Sequence, residues 1–152
     1  MAGIGDRAPD FELKDENDKP VSLRDYNGRK VLIAFFPFAF SPVCTDEFSC
    51  FQDDLERFAK EGVQILGISV DSHWSNKAFK DSLGISFPLL SDFNKEVSRK
   101  FGVLRKEGFS ERAYFLVDES GFVRFKHIMD VPGKRLDNEE LLAAINQHAE
   151  SK

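Results

Sequence analysis

Hydrophobic and polar residues change their period several times along the chain, and each change marks an element. VLIAFF at 31–36 and VQILGISV at 63–70 are unbroken apolar runs, the pattern of strands covered on both faces. Between them Phe48, Phe51, Leu55 and Phe58 recur at three- and four-residue intervals, with Asp53, Asp54, Glu56, Arg57 and Lys60 in the gaps. That spacing predicts one amphipathic helix running from Pro42 to its end near Gly62. FELKD and PVSLRDY, on either side of the polar turn DENDK, predict two short extended segments paired as a hairpin near the N-terminus. Ser75 and Asn76 open a shorter helix that closes at Gly84, FPLL at 87–90 forms a short strand, and 94–101 a further helix before Gly102. AYFLVD and FVRFKHI, separated by Glu119-Ser120-Gly121, predict an antiparallel hairpin, and a last helix carries Leu136, Leu141, Leu142, Ile145 and His148.

The order β-α-β-α-β-α-β-β-α contains no repeat and no linker, so residues 1–152 read as a single α/β domain. The expected architecture is a mostly parallel central sheet with an N-terminal β-hairpin extension and a closing antiparallel hairpin, an outline compatible with a thioredoxin-like fold. A chain of 152 residues buries well over half of the surface that its unfolded form exposes, and needs no disulfide to hold it. Sixteen phenylalanines within a 41% hydrophobic composition point to a well-filled core rather than disorder. The net charge of −5 comes from interspersed acids and bases without a basic stripe, which sets nucleic acid aside as a partner. The start MAGIGDRAPDF lacks the basic and apolar regions of a signal peptide, and no apolar run approaches the ~20 residues of a spanning helix. The expectation is a cytoplasmic protein with no membrane partner.

Both cysteines fall in FFPFAFSPVCTDEFSC at 35–50. In a reducing compartment they are catalytic, redox-active or simply buried sooner than permanently bridged, and composition does not choose among these. Ser41 stands where the apolar run ends and the helical period begins, which makes it the N-cap, Pro42 the first helical residue and Cys44 the third. The third position usually holds Glu or Gln in a capping box; here it holds a thiol. Unpaired amides and the positive end of the helix dipole favour thiolate over thiol, while Asp46 and Glu47 oppose it, so the site calls for a cation from elsewhere. The competing reading is a small buried residue under the helix. Cys50 lies about 9 Å further along at ~1.5 Å per residue, beyond the ~7 Å between Cα atoms that a disulfide tolerates, so a Cys44–Cys50 bridge would require the first turns to unwind. Cys50 therefore reads as structural ahead of resolving. His73, His127 and His148 form no zinc-like spacing with either cysteine, and there is neither a C-x-x-C nor a glycine-rich phosphate loop, so no metal and no organic cofactor is expected.

PFAFSPVC at 37–44 matches the signature P-x-x-x-[ST]-x-x-C, and the chain resembles the peroxiredoxins, the alkyl hydroperoxide reductase and thiol-specific antioxidant family. APDFEL, VSLRDY, LGISVDS, FPLLSD and RAYFLVDESGFVRF resemble family blocks in the same order. With no cysteine after Cys50, the chain is most similar to the one-cysteine bacterial and archaeal subgroup. The resemblance implies a thiol peroxidase whose peroxidatic cysteine is Cys44, converted by hydrogen peroxide or an organic hydroperoxide to a sulfenic acid. It implies that Pro37 shields the thiolate, that the Ser41 hydroxyl bonds the peroxide, and that Arg112 is the cation that supports sulfur and substrate. Glu47 resembles an acidic residue that orients the arginine, with a solvated carboxylate as the equal alternative. Partners implied are the peroxide, a thiol reductant (thioredoxin, a glutaredoxin-like protein or a low-molecular-weight thiol) and a second copy in a homodimer. Relatives with a local resolving thiol place it five residues after the first cysteine; here that position is Ser49, which favours an external thiol over Cys50. A peroxide-reactive sensor or chaperone-like binding module is the alternative from another functional class.

Overall fold

The apolar runs at 31–36 and 63–70 become the two central strands of the sheet. A computed structural model describes residues 2–149. The strands are β1 (Glu12–Lys14), β2 (Pro20–Ser22), β3 (Lys30–Phe35), β4 (Val63–Ser69), β5 (Leu89–Ser91), β6 (Ala113–Val117) and β7 (Val123–Ile128). The helices are α1 (Pro42–Asp53), α2 (Leu55–Lys60), α3 (His73–Leu83), α4 (Glu96–Lys100) and α5 (Asn138–Ala149). One seven-stranded sheet has the order β2-β1-β5-β4-β3-β6-β7. Its centre, β5-β4-β3, is parallel, and antiparallel pairs flank it on both sides. The N-terminal hairpin β1–β2 and the closing hairpin β6–β7 are where the sequence puts them.

Alternation along β3 divides the core. Val31, Ile33 and Phe35 join Leu66, Ile68, Phe101 and Phe115 on one face of the sheet. Leu32, Ala34 and Phe36 join Phe48, Phe51, Phe58, Phe79, Tyr114 and Ile145 on the other, the face that α1 and α5 cover. A close approach at Gly67 in β4 seats α1 on this face, since a Cβ there would fall 2.6 Å from Cε2 of Phe48.

Register then decides what meets at the top of β3. Because β3 and β6 run antiparallel with Phe35 opposite Ala113, the residue before Ala113 lies beside the point where the chain leaves β3 for α1. That residue is Arg112, and α1 begins with Cys44 in its first turn.

Several elements differ from the sequence expectation. The single helix to Gly62 is two, broken at Asp54 (φ −102°, ψ 14°). Asn138 stabilises the break: its Nδ2 donates to the Cys50 carbonyl at 2.8 Å and to Asp54 Oδ2 at 2.9 Å. LRDY is a short 3-10 helix (Leu23–Tyr26) rather than strand. α3 starts two residues early because Ser72 is its cap, its hydroxyl accepting the Ser75 N–H at 3.2 Å. β5 is displaced toward Ser91, leaving Phe87 as a buried lead-in. Leu136 precedes α5, and the side chain of His148 lies outside the described residues.

Candidate active site

The thiol of Cys44 sits where β3 hands the chain to a helix. Ser41 is the N-cap in extended conformation (φ −67°, ψ 150°), Pro42 opens α1, and Cys44 follows in the third position. Proline suits the first position because its missing N–H would have had no helical partner. The Ser41 hydroxyl makes no capping bond, while its carbonyl accepts the Thr45 N–H at 2.9 Å. Pro37 is buried at the exit of β3 and Ser41 is half-buried. The loop between them is tied to the end of β4: the Ala39 N–H donates to Asp71 Oδ2 at 2.7 Å, and the Ser69 hydroxyl donates to the same oxygen at 2.8 Å. Phe40 takes φ +70°, a left-handed conformation rarely adopted by a bulky residue, with its ring edge-on to Phe79 at 5.2 Å.

Cys44 has no exposed surface. Arg112, also buried, directs Nη2 to within 3.1 Å of its sulfur. The other nitrogens of the guanidinium are fixed as well, Nη1 by Glu47 Oε1 at 2.7 Å and Nε by the Pro132 carbonyl at 3.0 Å. A planar cation held at all three nitrogens presents one face of its fork to the sulfur with little freedom to turn away. Burial alone would ease the proton from Arg112, but the charges of Glu47 and Cys44 hold it more firmly than usual.

Glu47, one turn after Cys44, is entirely buried, so it is neither a solvated carboxylate nor a first-turn residue. Its second oxygen accepts the hydroxyl of Tyr114. Burial pushes the Glu47 carboxyl up, against the pull of the Arg112 guanidinium and the Tyr114 hydroxyl. Burial and the adjacent carboxylate push Tyr114 up in turn, so the phenol keeps its proton and remains a donor. The repulsion expected from Asp46 and Glu47 is thus answered by two cations: Arg112 for Glu47, and Arg135, whose Nη2 lies 2.8 Å from Asp46 Oδ2.

The two cysteines face different surroundings. Both are free thiols, α1 is continuous across them, and Cys50 is half-buried beside Arg135, with Nη2 at 3.5 Å from its sulfur. Phe35 and Phe36 belong to the core, whereas Phe38 and Phe40 stand exposed around the loop, Phe38 against Phe109 at 4.9 Å. Trp74 is exposed and stacks on His73 at 4.1 Å. Among the described residues no group of three or more His, Cys, Asp or Glu side chains is placed to hold a metal ion, and no helix is long and apolar enough to cross a membrane.

The structure therefore brings Cys44, Arg112 and Glu47 into direct contact, with Pro37 and Ser41 along the adjoining loop. It leaves Cys50 on a separate arginine. Sequence reasoning missed Tyr114, Arg135, Asp71 and Asn138. Tyr114 carried a signal, because a phenol in the fully apolar strand AYFLV needs a buried partner for its hydroxyl. Arg135 carried none.

A family model described as AhpC/TSA matches residues 4–126. Alkyl hydroperoxide reductase E of Mycobacterium bovis is 40% identical over 141 residues, spanning 90% of this chain and 92% of that protein. Peroxiredoxin-2 of Mus musculus is 38% identical over 151 residues, spanning 92% of this chain and 76% of its own length. Among solved structures, Enterococcus faecalis AhpC superposes with a TM-score of 0.90 at 30% identity, covering 97% of this chain and 93% of that one.

Proposed function

The chain belongs to the AhpC/TSA family and is a thiol-dependent peroxidase, and from that premise we propose that Cys44 is the nucleophile that reduces the peroxide. The observation that carries this assignment is the Arg112 Nη2 at 3.1 Å from the Cys44 sulfur at the start of α1. Guanidinium and helix amides together stabilise negative charge at that atom. The sulfur attacks one peroxide oxygen, the O–O bond breaks, and the departing oxygen takes a proton to leave as water or alcohol. Cys44 is left as sulfenic acid. Charge builds on the departing oxygen in the transition state, where fixed donors contribute most. Arg112 and the Ser41 hydroxyl, which is not engaged in capping, are the donors we assign to it, and Pro37 the shield that keeps water from the sulfur. Glu47 supports the arginine.

An external thiol then condenses with the sulfenic acid, releasing water and leaving a mixed disulfide, and a second thiol displaces Cys44 from it. Cys50 is not the resolving group in this reading, because α1 is unbroken between the two thiols and each faces its own arginine. The reductant class is thioredoxin, a glutaredoxin-like protein or a low-molecular-weight thiol. The compartment we assign is the cytoplasm, and the assembly a homodimer joined on the side of the active-site loop, where Phe38 and Phe40 leave apolar surface in solvent. Cys44→Ser tests the assignment: the variant should consume no peroxide with excess thiol, and turnover at the wild-type rate would refute it. A single turnover followed by arrest in the wild-type protein would favour a sensor over a peroxidase.

A further inference from the structure

We propose that Tyr114 is a positioning residue for the Cys44 thiol: its hydroxyl fixes the Glu47 carboxylate, and through it the Arg112 guanidinium that faces the sulfur. The inference rests on the reading of Cys44 and Arg112 given above.

Tyr114 lies in β6 between Ala34 on one side and His127 on the other, and its side chain is fully buried. A phenol in that setting is costly unless its hydroxyl is bonded. Its hydroxyl does two things: the O–H donates to Glu47 Oε2, and the oxygen accepts the Leu136 N–H at 3.2 Å. The Leu136 amide belongs to the same segment, between β7 and α5, whose Pro132 carbonyl accepts from Arg112 Nε at 3.0 Å. One strap of backbone therefore holds both the arginine and the tyrosine that steadies the arginine's partner.

The two oxygens of Glu47 are divided between Arg112 and Tyr114. With the phenol in place, the carboxylate cannot rotate to offer both oxygens to the guanidinium. Without it, Glu47 can turn toward a two-oxygen grip on Arg112, and the Nη2 that faces sulfur is drawn from its place. The charge of Glu47 is also at stake. The groups facing it are Arg112 and Tyr114 from the β6 side, Cys44 on its own helix and Arg135 from the segment before α5. Burial drives this carboxyl toward its neutral form and the tyrosine hydroxyl opposes that drift. Loss of the hydroxyl lets Glu47 take a proton at less acidic pH, and a neutral Glu47 anchors Arg112 poorly.

The test is the second-order rate constant of Cys44 oxidation by hydrogen peroxide, measured by rapid mixing in single turnover between pH 5 and 8. Tyr114→Phe should react about tenfold more slowly at pH 7, the scale of one charge-assisted hydrogen bond lost from a transition state, with its acid limb moved to higher pH. A role confined to folding would lower the melting temperature and leave the pH profile of the folded enzyme in place. In an Arg112→Met background, Tyr114→Phe should add little further loss, because the tyrosine acts through the arginine. Should Tyr114→Phe not fold, Tyr114→Leu, which also lacks the hydroxyl, carries the same test: a comparable slowing with the acid limb moved supports the inference, and an unchanged pH profile overturns it. An Arg112→Met enzyme as fast as wild type overturns the underlying reading. A slow Arg112→Met beside an unchanged Tyr114→Phe, or losses that simply add, overturns the inference about Tyr114 alone.

Discussion

Replacing Gly67 by alanine should unseat the helix that carries Cys44. The added Cβ would lie 2.6 Å and 3.2 Å from Cε2 and Cζ of Phe48, and 2.8 Å from Cδ2 of Leu89. Phe48 cannot simply swing aside: it is fully buried, with ring centroids of Phe36, Phe51 and Phe87 at 4.6, 5.3 and 5.7 Å. Overpacking of this kind costs about 1–3 kcal/mol, and two contacts under 3.0 Å against fully buried side chains place it in the upper half of that range, about 2–3 kcal/mol. The reduced freedom of the unfolded chain returns about 0.4–1 kcal/mol, so the net loss is about 1–2.6 kcal/mol. For a domain of this size that corresponds to a fall of roughly 2–10 °C in Tm. Circular dichroism melts and urea titrations measure it directly. Because Phe48 lies one turn beyond Cys44 and next to Glu47, the same variant should also react more slowly with peroxide. Phe48→Leu in the Gly67→Ala background should cost less than the two changes added, since the ring and the methyl compete for one space. A Gly67→Ala protein as stable as wild type would refute the argument that this contact seats α1.

Two further outcomes follow from buried charge. Asp92, 1% exposed, accepts the Val97 N–H at 3.1 Å and the Ser98 N–H and hydroxyl at 2.7 Å each, so Asp92→Ala should destabilise by about 2–4 kcal/mol in urea denaturation through donors left unpaired at the start of α4. Glu47 has its carboxyl raised by burial, so the native state holds that proton more tightly than the unfolded chain. Its contribution to stability is fully present below the unfolded value of about 4.3 and is lost as pH rises through the folded value. Urea titrations from pH 4 to 8 should therefore show wild type losing stability relative to Glu47→Gln as pH rises, and a gain in that direction would contradict the burial argument.

Local chemistry was legible along the chain where a residue acts on its immediate neighbours. Ser41, Pro42 and Cys44 occupy the first turn as their types demand, and Gly84 ends α3 at φ +66°. What the periodicity misread was decided by residues far away in sequence. The helix predicted to Gly62 divides at Asp54, where Asn138, more than eighty residues on, adds a second donor to the Cys50 carbonyl and bonds the Asp54 carboxylate. Arg112 entered only through the family resemblance, since its place beside Cys44 depends on the β3–β6 register, which no local pattern encodes. For Glu47 the resemblance implied a residue that orients the arginine, with a solvated carboxylate as the equal alternative; no local pattern chose between them, because its burial depends on two β6-side partners. Arg135 lies in an irregular segment whose path over α1 is set by packing, so nothing in its neighbours marked it as the partner of Asp46 and Cys50.

In the proposed reaction the sulfur facing Arg112, and not the sulfur facing Arg135, meets the peroxide first. Intact mass and peptide mapping after one equivalent of hydrogen peroxide distinguish the two thiols. The expected product carries one added oxygen, trapped on the peptide that contains Cys44, with Cys50 still reduced. Oxygen found first on Cys50 would contradict the assignment of the nucleophile, and a loss of two hydrogens, linking Cys44 to Cys50, would contradict the separation of the two thiols along α1.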